Sequence, residues 1–293
     1  MLDRRRCRDG HSRAPRERRQ AVGTAYVWAP WLLVVLAVAA LIYRGRASLT
    51  LADLVREVSL VVVAYAAYYA VRGSTEGSQA TAIDHARALI DVEQALSIHF
   101  SASAQDAMVR HAAVAVAANW AYIWWHWPPI LVLAVWLFLD RRQAYRRYRV
   151  AFVLSGAVAL LWFAILPVAP PRLAELGFID TLAEHSEEYV ALESPRFVNR
   201  FAAFPSLHFG WNLLVGIALV RETRSWWLRA LGVISPVLVL FAVVLTGNHY
   251  VIDAVAGGIL AVASLMLAPR VQVTLARARS AIAPTLHARA GGR

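Results

Sequence analysis

The chain has 293 residues, of which 59% are hydrophobic, and this apolar fraction excludes an ordinary soluble domain. The formal net charge is +11, and the basic residues, all of them Arg, lie in short loops and at both ends, beside apolar segments. This distribution follows the positive-inside rule and does not indicate nucleic-acid binding. The single cysteine, Cys7, excludes an internal disulfide and a cysteine metal site.

The N-terminal part combines a polar tail with two apolar segments. Residues 1–22 are rich in Arg, with Pro, Gly and Ser, which predicts a basic disordered tail. Tyr26–Tyr43 and Val55–Val71 are each long enough to cross a bilayer, which takes about 17–25 residues. No small-residue cleavage site follows Tyr26–Tyr43, so we interpret it as a retained helix and not as a signal peptide.

The next two segments differ in character. Ala80–Phe100 has apolar residues at helical spacing and several charged ones, which predicts an amphipathic helix at the membrane interface. Ala112–Leu139 is a long apolar segment that Pro128 and Pro129 should kink or break. Its four tryptophans are typical of the headgroup zone, with the wall of a lipid site as the alternative; they are Trp120, Trp124, Trp125 and Trp127.

The C-terminal half alternates apolar and polar stretches. A polar loop, Pro167–Pro205, separates the first predicted span from three further ones, and an Arg-rich tail occupies 269–293. Gly257 and Gly258 lie in the last span, where small residues favour close helix packing. The four predicted spans are Arg149–Leu166, Ser206–Val220, Trp227–Leu245 and His249–Leu267.

The arginines also predict the orientation of this half. They concentrate in the loop 140–149, the turn 221–229 and the tail 269–293, which should all be cytoplasmic. The loop Pro167–Pro205 and the turn Thr246–Asn248 would then face the extracytoplasmic side.

The orientation of the N-terminal part stays open. Its tail is also Arg-rich, and a cytoplasmic tail conflicts with one crossing by each of the three N-terminal apolar segments. Either Tyr26–Tyr43 does not cross, or Ala112–Leu139 crosses twice, or the tail is outside. The sequence predicts an all-α integral membrane protein with six core spans, with or without a seventh at the N-terminus. We expect one membrane domain at 23–268, with its core at 80–268.

Three polar clusters stand at the ends of predicted spans on the extracytoplasmic side. They are Pro170–Leu173, Phe204–His208 and Thr246–Asp253. His249 and Asp253 are four residues apart and share a face of a helix. The carboxylate can therefore accept a hydrogen bond from one ring nitrogen and leave the other as a nucleophile toward phosphorus.

The other two clusters suit a phosphate. Ser206 and His208 stand at a helix start, where backbone N–H groups and the helix dipole favour an anion. Arg172 offers a planar bidentate grip. One nucleophilic histidine, one acid/base histidine and a cationic anion site form a phosphoryl-transfer site. No metal or other cofactor is implied, because no carboxylates cluster near these motifs.

As a set, the three clusters resemble the type 2 phosphatidic acid phosphatase (PAP2) superfamily, and most closely its inositolphosphotransferase branch, which includes inositol phosphorylceramide synthases. The resemblance rests on Pro170–Leu173, Pro205–His208 and His249–Asp253 and covers roughly residues 80–268. It implies that His249, steadied by Asp253, becomes phosphorylated. It also implies that His208 protonates the leaving group and then activates the acceptor, and that Ser206 and Arg172 bind the phosphate.

Two departures from the wider superfamily concern cationic phosphate ligands. Ile165 stands where the superfamily carries a lysine, and Ala242-Val243 stand where it carries a Ser-Arg pair. These departures favour the transferase-like branch over a simple phosphatidate phosphatase. Candidate replacements are Asn248, which is alternatively only a helix cap, and the loop residues Arg196 and Arg200. Three other histidines, His99, His111 and His126, are expected to be interfacial or packing residues.

The expected function is membrane-bound transfer of a phosphoryl group or phospho-headgroup from a lipid, through a phosphohistidine, at an extracytoplasmic site. The first alternative is simple hydrolysis of phosphatidate or of a polyprenyl diphosphate. The second is a non-catalytic transporter or scaffold with the same fold, which the complete set of His208, His249 and Asp253 disfavours. The expected partners are the bilayer and its lipid substrate. The expected location is a bacterial plasma membrane, because an Arg-only basic set suggests a GC-rich genome.

Overall fold

The structure is a computed structural model that describes residues 51–75, 77–99, 101–174, 176–181 and 199–290. The predictions for the tail 1–22, for Tyr26–Tyr43 and for Arg196 concern residues outside this range. The described residues form nine α-helices and one short 3₁₀ helix. No strand occurs among them, and one isolated parallel bridge joins Val168 to Ala202. The predicted all-α class is confirmed for this part of the chain.

The helices follow the predicted order with shifted ends. In chain order they are α1 (Leu51–Ser74), α2 (Gln79–Ala95), α3 (Ser101–Val109), α4 (Ala112–Trp124), α5 (Trp127–Asp140), α6 (Arg142–Ile165), the 3₁₀ helix Pro171–Leu173, α7 (Leu207–Glu222), α8 (Trp226–Leu245) and α9 (Val251–Ala290).

Three of the described helices are long and apolar enough to cross a membrane, namely α6, α8 and the part of α9 at Val251–Ala278. The bent pair of α4 and α5 passes the same test jointly and adds a fourth. The integral membrane class is thereby supported, while a core of six spans stays a prediction. Helix α7 has 16 residues, so it is about 24 Å long, which is short for a hydrocarbon layer of about 30 Å.

The predicted break in Ala112–Leu139 is confirmed. Helices α4 and α5 meet at a bend of 41°. Pro128 and Pro129 occupy the first turn of α5, where a missing N–H costs no helical hydrogen bond. The chain therefore restarts as a new helix, and His126 lies at the junction, buried inside the molecule.

Helix α2 differs in two ways from the prediction for Ala80–Phe100. It ends at Ala95, and α3 follows as a separate helix. Glu93, expected among the polar residues of an amphipathic face, is fully buried. Its Oε1 accepts the backbone N–H of Ile252 at 2.9 Å, in the first turn of α9, where unpaired N–H groups and the helix dipole favour a carboxylate. The location of α2 at a membrane interface stays a prediction.

Helix α7 is the centre of the bundle and packs against α5, α6, α8 and α9. Two pairs of glycines allow its closest approaches. A Cβ on Gly257 would overlap the backbone of Ser206, and a Cβ on Gly210 would overlap the Gly257 carbonyl. Gly216 and Gly232 oppose each other in the same way between α7 and α8. The predicted packing role of Gly257 is confirmed, and Gly258 likewise packs against the Phe209 ring.

The last helix extends beyond its predicted end. The span was expected to stop at Leu267 and a tail to begin at residue 269, but α9 continues through Pro269 to Ala290. The arginines of the tail therefore lie on the same helix as the final span, at least as far as residue 290.

Candidate active site

A cavity of about 110 Å³ lies where five parts of the chain meet. These are the end of α1, the α4–α5 bend, the loop after α6, the start of α7 and the turn before α9. The three polar clusters of the sequence therefore converge, as predicted. The lining residues with polar or aromatic side chains are Tyr68, Arg72, Tyr122, His126, Trp127, Phe163, Arg172, Asn199, Arg200, His208, Trp211, Asn248 and His249.

His249 is held in one orientation by two acceptors on its Nδ1. The Ala203 carbonyl oxygen lies at 2.9 Å and the Asp253 carboxylate at 3.4 Å. A carbonyl oxygen can only accept, so Nδ1 carries the ring proton and Nε2 carries the lone pair. The predicted pairing with Asp253 is present, but the shorter contact is to a backbone oxygen that the sequence pattern could not reveal.

Asp253 also ties together the backbones of two motifs. Its Oδ2 accepts the N–H of Tyr250 at 2.9 Å, which caps the start of α9. Its own carbonyl accepts the N–H of Ser206 at 2.9 Å. The residue is fully buried and does not line the cavity. It therefore acts on the site through His249 and through the position of α7.

His208 lies in the first turn of α7 and faces the same cavity as His249. The centroids of the two rings are 6.0 Å apart, with planes inclined by 49°. The Tyr122 ring stacks on the His208 ring, with centroids 4.5 Å apart and planes inclined by 13°. The His126 ring also stacks on His208, at 4.1 Å and 26°. The two predicted catalytic histidines thus share one small enclosure, with aromatic rings packed around His208.

Arg172 is anchored to the turn that carries His249. Its Nε donates to Asn248 Oδ1 at 3.0 Å, and its backbone N–H donates to the Gly247 carbonyl at 2.9 Å. Asp180 accepts from its Nη1 at 2.8 Å. Asn248, which the sequence offered as a phosphate ligand or helix cap, orients the guanidinium and also lines the cavity.

The turn before His249 depends on a glycine in the left-handed region. Gly247 has φ +67°, a conformation that glycine adopts without steric cost. The Gln105 side chain braces this region by donating to the carbonyls of Leu245 and Ile179 at 3.1 and 3.0 Å. This link from α3 was not predicted, because nothing in the local sequence of Gln105 signals it.

Ser206 is the N-cap residue of α7, a role that is compatible with the expected one in phosphate binding. It is fully buried, and its Oγ accepts the N–H of Phe209 at 3.4 Å at the start of α7. It does not line the cavity. Its role as a phosphate ligand stays a prediction.

Arginine side chains line the cavity, although the lysine and the arginine of the wider superfamily motifs are absent from this chain. Ile165 and Val243, which stand where lysine and arginine were expected, do not line it. Arg72 from the end of α1 and Arg200 do line it, together with Arg172. Arg200 was among the predicted replacements. Arg72 was missed, because it stands at the end of an ordinary-looking apolar helix, where arginine commonly marks only the membrane boundary.

His126 was expected to be an interfacial or packing residue, and the structure places it in the cavity wall. His99 pairs with Glu93 at 3.1 Å, and His111 is exposed at the start of α4, so neither lines the cavity. The signal that could have distinguished His126 is its place directly before a helix break. An ionisable residue at irregular backbone within an apolar segment is biased toward function.

An apolar groove of about 380 Å³ adjoins the cavity. It runs between α1, α5 and α6, and its surface is overwhelmingly hydrophobic. Tyr68, Trp127 and Trp211 line both spaces, so the groove opens beside the polar site. The alternative reading of the tryptophan cluster, a wall around a lipid, gains a structural basis at Trp127.

The side chains that line the cavity differ from those of a metal centre. Within the described ranges, no group of three or more His, Cys, Asp or Glu side chains could hold a metal ion. The cavity offers imidazole, guanidinium and amide groups, which suit an anion. The expectation that no metal takes part stays a prediction.

Comparison with known proteins gave one match. The model of the PAP2 superfamily matches residues 87–267, which include all three motifs, α4 to α8 and the cavity histidines. No curated protein and no solved structure showed significant similarity to the chain. The match spans well over half of the 293 residues, and on that basis the chain belongs to the PAP2 superfamily.

Proposed function

We propose that the protein transfers a phosphoryl group or phospho-headgroup from a membrane lipid to water or an alcohol, through a phosphohistidine on His249. Membership in the PAP2 superfamily indicates an enzyme with phosphatase or phosphotransferase activity on phosphorylated lipids. The observation that carries the more specific proposal is the placement of His208 and His249 in one cavity, 6.0 Å apart, with arginines in its wall.

The first half of the reaction forms the covalent intermediate. Nε2 of His249 attacks phosphorus, an N–P bond forms, and the P–O bond to the leaving group breaks. His208, entering as the imidazolium, gives its proton to the departing oxygen. The phosphorylated ring carries positive charge, which the buried Asp253 carboxylate beside Nδ1 stabilises.

The second half regenerates the enzyme. His208, now neutral, takes a proton from water or an alcohol, whose oxygen attacks phosphorus. The N–P bond breaks, and the electron pair returns to Nε2 of His249. Water as acceptor makes the protein a phosphatase, and an alcohol as acceptor makes it a transferase.

Arg72, Arg172 and Arg200 supply the positive field for the phosphate. All three line the cavity, which is polar and small. Guanidinium groups present forked donors that match phosphate oxygens and remain charged at every physiological pH. They supply the charge that the absent lysine and arginine of the wider superfamily would provide.

The adjoining groove supports a lipid as the substrate. A phosphate in the cavity would place its hydrocarbon chain beside Tyr68, Trp127 and Trp211, at the mouth of the apolar groove. Along α6 the groove is lined from Tyr145 to Leu160, a rise of about 22 Å. This length accommodates an extended acyl or prenyl chain, which a water-soluble phosphate ester does not possess.

The arginine distribution supports an extracytoplasmic site. Most of the arginines predicted for a loop at 140–149 instead occupy the first turns of α6, whose other end lies near the cavity. Helix α7 begins at the cavity and ends at the Arg-rich turn. The cavity therefore lies at the end of the bundle opposite these arginines, which the positive-inside rule assigns to the cytoplasm.

The test is turnover by the purified full chain in detergent, with EDTA present, on phosphatidate, a polyprenyl diphosphate and phosphatidylinositol with an alcohol acceptor. His249→Ala is the decisive variant, and His111→Ala is the control because His111 is exposed and lies outside the cavity. We expect activity that His249→Ala abolishes and His111→Ala preserves. Labelled phosphate supplied as p-nitrophenyl phosphate, whose leaving group needs no proton, should accumulate on His208→Ala protein as an acid-labile, base-stable adduct.

The products distinguish the alternatives. Inorganic phosphate released in a His249-dependent manner makes the protein a phosphatase. Loss of phosphatidylinositol that requires the alcohol makes it a headgroup transferase. Turnover that survives His249→Ala would contradict a phosphohistidine on His249. Absence of turnover with all three lipids would contradict the proposal and favour a non-catalytic role of the fold.

A further inference from the structure

Three histidines line the cavity, and the proposed reaction uses two of them. We propose that His126 is a positioning residue that fixes the ring plane of His208 for proton transfer. This inference rests on the proposed function, because it assigns His126 a part in the step that His208 performs. It is carried by the geometry of the aromatic rings around the cavity.

The histidines of the site are held by different means. His249 has hydrogen-bond acceptors on Nδ1, which fix both its orientation and its tautomer. For His208, no hydrogen bond to either ring nitrogen is formed by the residues that the structure describes. What surrounds it instead are the rings of Tyr122, at 4.5 Å and 13°, and of His126, at 4.1 Å and 26°.

Stacking is well suited to the acid/base histidine. A hydrogen bond from the protein to a ring nitrogen would compete with the leaving group for the proton, or with the acceptor for the lone pair. Ring contacts at about 4 Å restrict rotation of the imidazole without occupying either nitrogen. An electron-rich tyrosine face also tolerates the imidazolium form.

His126 is itself firmly placed. Its ring is parallel to Trp211 within 3°, at 5.7 Å, and meets Trp127 edge-on at 5.1 Å. Trp211 is anchored by donation from its Nε1 to Ser155 Oγ at 3.0 Å. Nδ1 of His126 is buried and has no hydrogen-bond partner among the described residues. Packing of rings, and not hydrogen bonding through Nδ1, is therefore what this residue contributes.

The structural origin of the arrangement is the α4–α5 bend. The interruption at Trp125–His126, followed by the two prolines, directs the ring toward the start of α7. The helix break therefore places the His126 ring against the His208 ring.

The test compares His126→Ala, which removes the ring, with His126→Phe, which keeps a stacking surface but has no ring nitrogen. His111→Ala is the matched control, because His111 is exposed at the start of α4 and outside the cavity. Each is measured on two substrates: the lipid phosphate turned over by the wild type, and p-nitrophenyl phosphate, whose leaving group needs no proton.

With the lipid, we expect His126→Ala to lower kcat roughly tenfold or more with KM little changed, against about 10²–10⁴-fold for complete loss of acid/base catalysis. His126→Phe should keep most of kcat. With p-nitrophenyl phosphate, the initial burst of nitrophenolate from His126→Ala should match the wild type, because phosphorylation of His249 no longer needs His208.

Three results would overturn the inference. Equal losses in His126→Phe and His126→Ala would make His126 a polar contact to substrate and not a stacking residue. Wild-type kcat in His126→Ala would leave it without a role in proton transfer. If His126→Ala lowers the nitrophenolate burst as much as it lowers lipid turnover, the substitution disrupts the cavity in general. Failure of the proposed function itself is recognised separately, by turnover that His249→Ala leaves intact.

Discussion

At the scale of single residues, the site owes its charge to side chains that lie far apart in the sequence. Arg72, Arg172 and Arg200 come from the end of α1 and from two places in the loop between α6 and α7, yet they line one cavity. Arg172 is bonded to Asn248, the residue next to His249. One short turn therefore joins the proposed phosphate ligand to the proposed nucleophile.

Arg72 provides the sharpest residue-scale prediction. Arg72→Ala removes a cation from the cavity wall and should raise KM for the lipid phosphate at least tenfold, which corresponds to about 1.4 kcal/mol of binding. Arg72→Lys keeps the charge but loses the fork and should show a smaller loss. Steady-state kinetics on the purified variants measures both. Arg56→Ala is the control, because Arg56 lies on the exposed surface of the same helix. A wild-type KM in Arg72→Ala would exclude Arg72 from substrate binding.

At the scale of helices, the contact between α7 and α9 sets the distance between His208 and His249, the two histidines that we propose to be catalytic. Gly257 meets the backbone of Ser206, and Ser206 N–H is bonded to the Asp253 carbonyl. Each of these residues lies within one or two turns of His208 or His249. The spacing of the site is thus a consequence of two helices packed at backbone contact.

Gly257→Ala should therefore destabilise the protein by about 1–3 kcal/mol, because the added methyl group overlaps a backbone carbonyl that cannot rotate away. The measurement is thermal unfolding in detergent. Ala263→Val adds volume to an exposed position of the same helix and should leave Tm nearly unchanged. Equal Tm values for Gly257→Ala and the wild type would show that the two helices can separate at little cost.

The groove between α1, α5 and α6 should determine chain-length preference. Ala157 lines the groove on α6, and Ala157→Phe would fill part of it. We expect kcat/KM to fall for long-chain lipid phosphates and to change little for short-chain ones. Ala263→Phe, on the surface of α9 and outside the groove, is the control. Parallel losses for long and short chains would mean that the substituted groove is not where the chain lies.

The sequence predicted the three motifs of the site, but not the other residues around its cavity. The motifs could be recognised by residue type and spacing at the ends of apolar segments, and they meet at one cavity in the structure. The Ala203 carbonyl on His249, the Gln105 brace and the ring of His126 depend on contacts between distant segments, which no local pattern encodes. The burial of Glu93 depends on its contact with the start of α9. The continuation of the last helix through Pro269 was missed because proline usually interrupts a helix.

At the scale of the whole molecule, the distribution of arginines against the cavity predicts a testable orientation. Cys7 is the only cysteine, so Cys7→Ser provides a cysteine-free background. Gly177 lies in the loop after α6 with open space around it, and Arg224 lies exposed in the turn between α7 and α8. In intact cells, Gly177→Cys should react with an impermeant maleimide, while Arg224→Cys should react only after lysis. The reverse labelling pattern would place the site in the cytoplasm.

The first described helix is joined to the rest of the molecule at both of its ends. Near its start, buried Glu57 binds Arg149 and Tyr145 of α6, and near its end Tyr68 and Arg72 reach the cavity. Yet α1 lies before residue 87, where the superfamily match begins. The matched range therefore leaves out two residues of the cavity wall, Tyr68 and Arg72. Under the proposed function, changes in α1 would alter lipid selectivity and leave the histidines of the superfamily motifs unchanged.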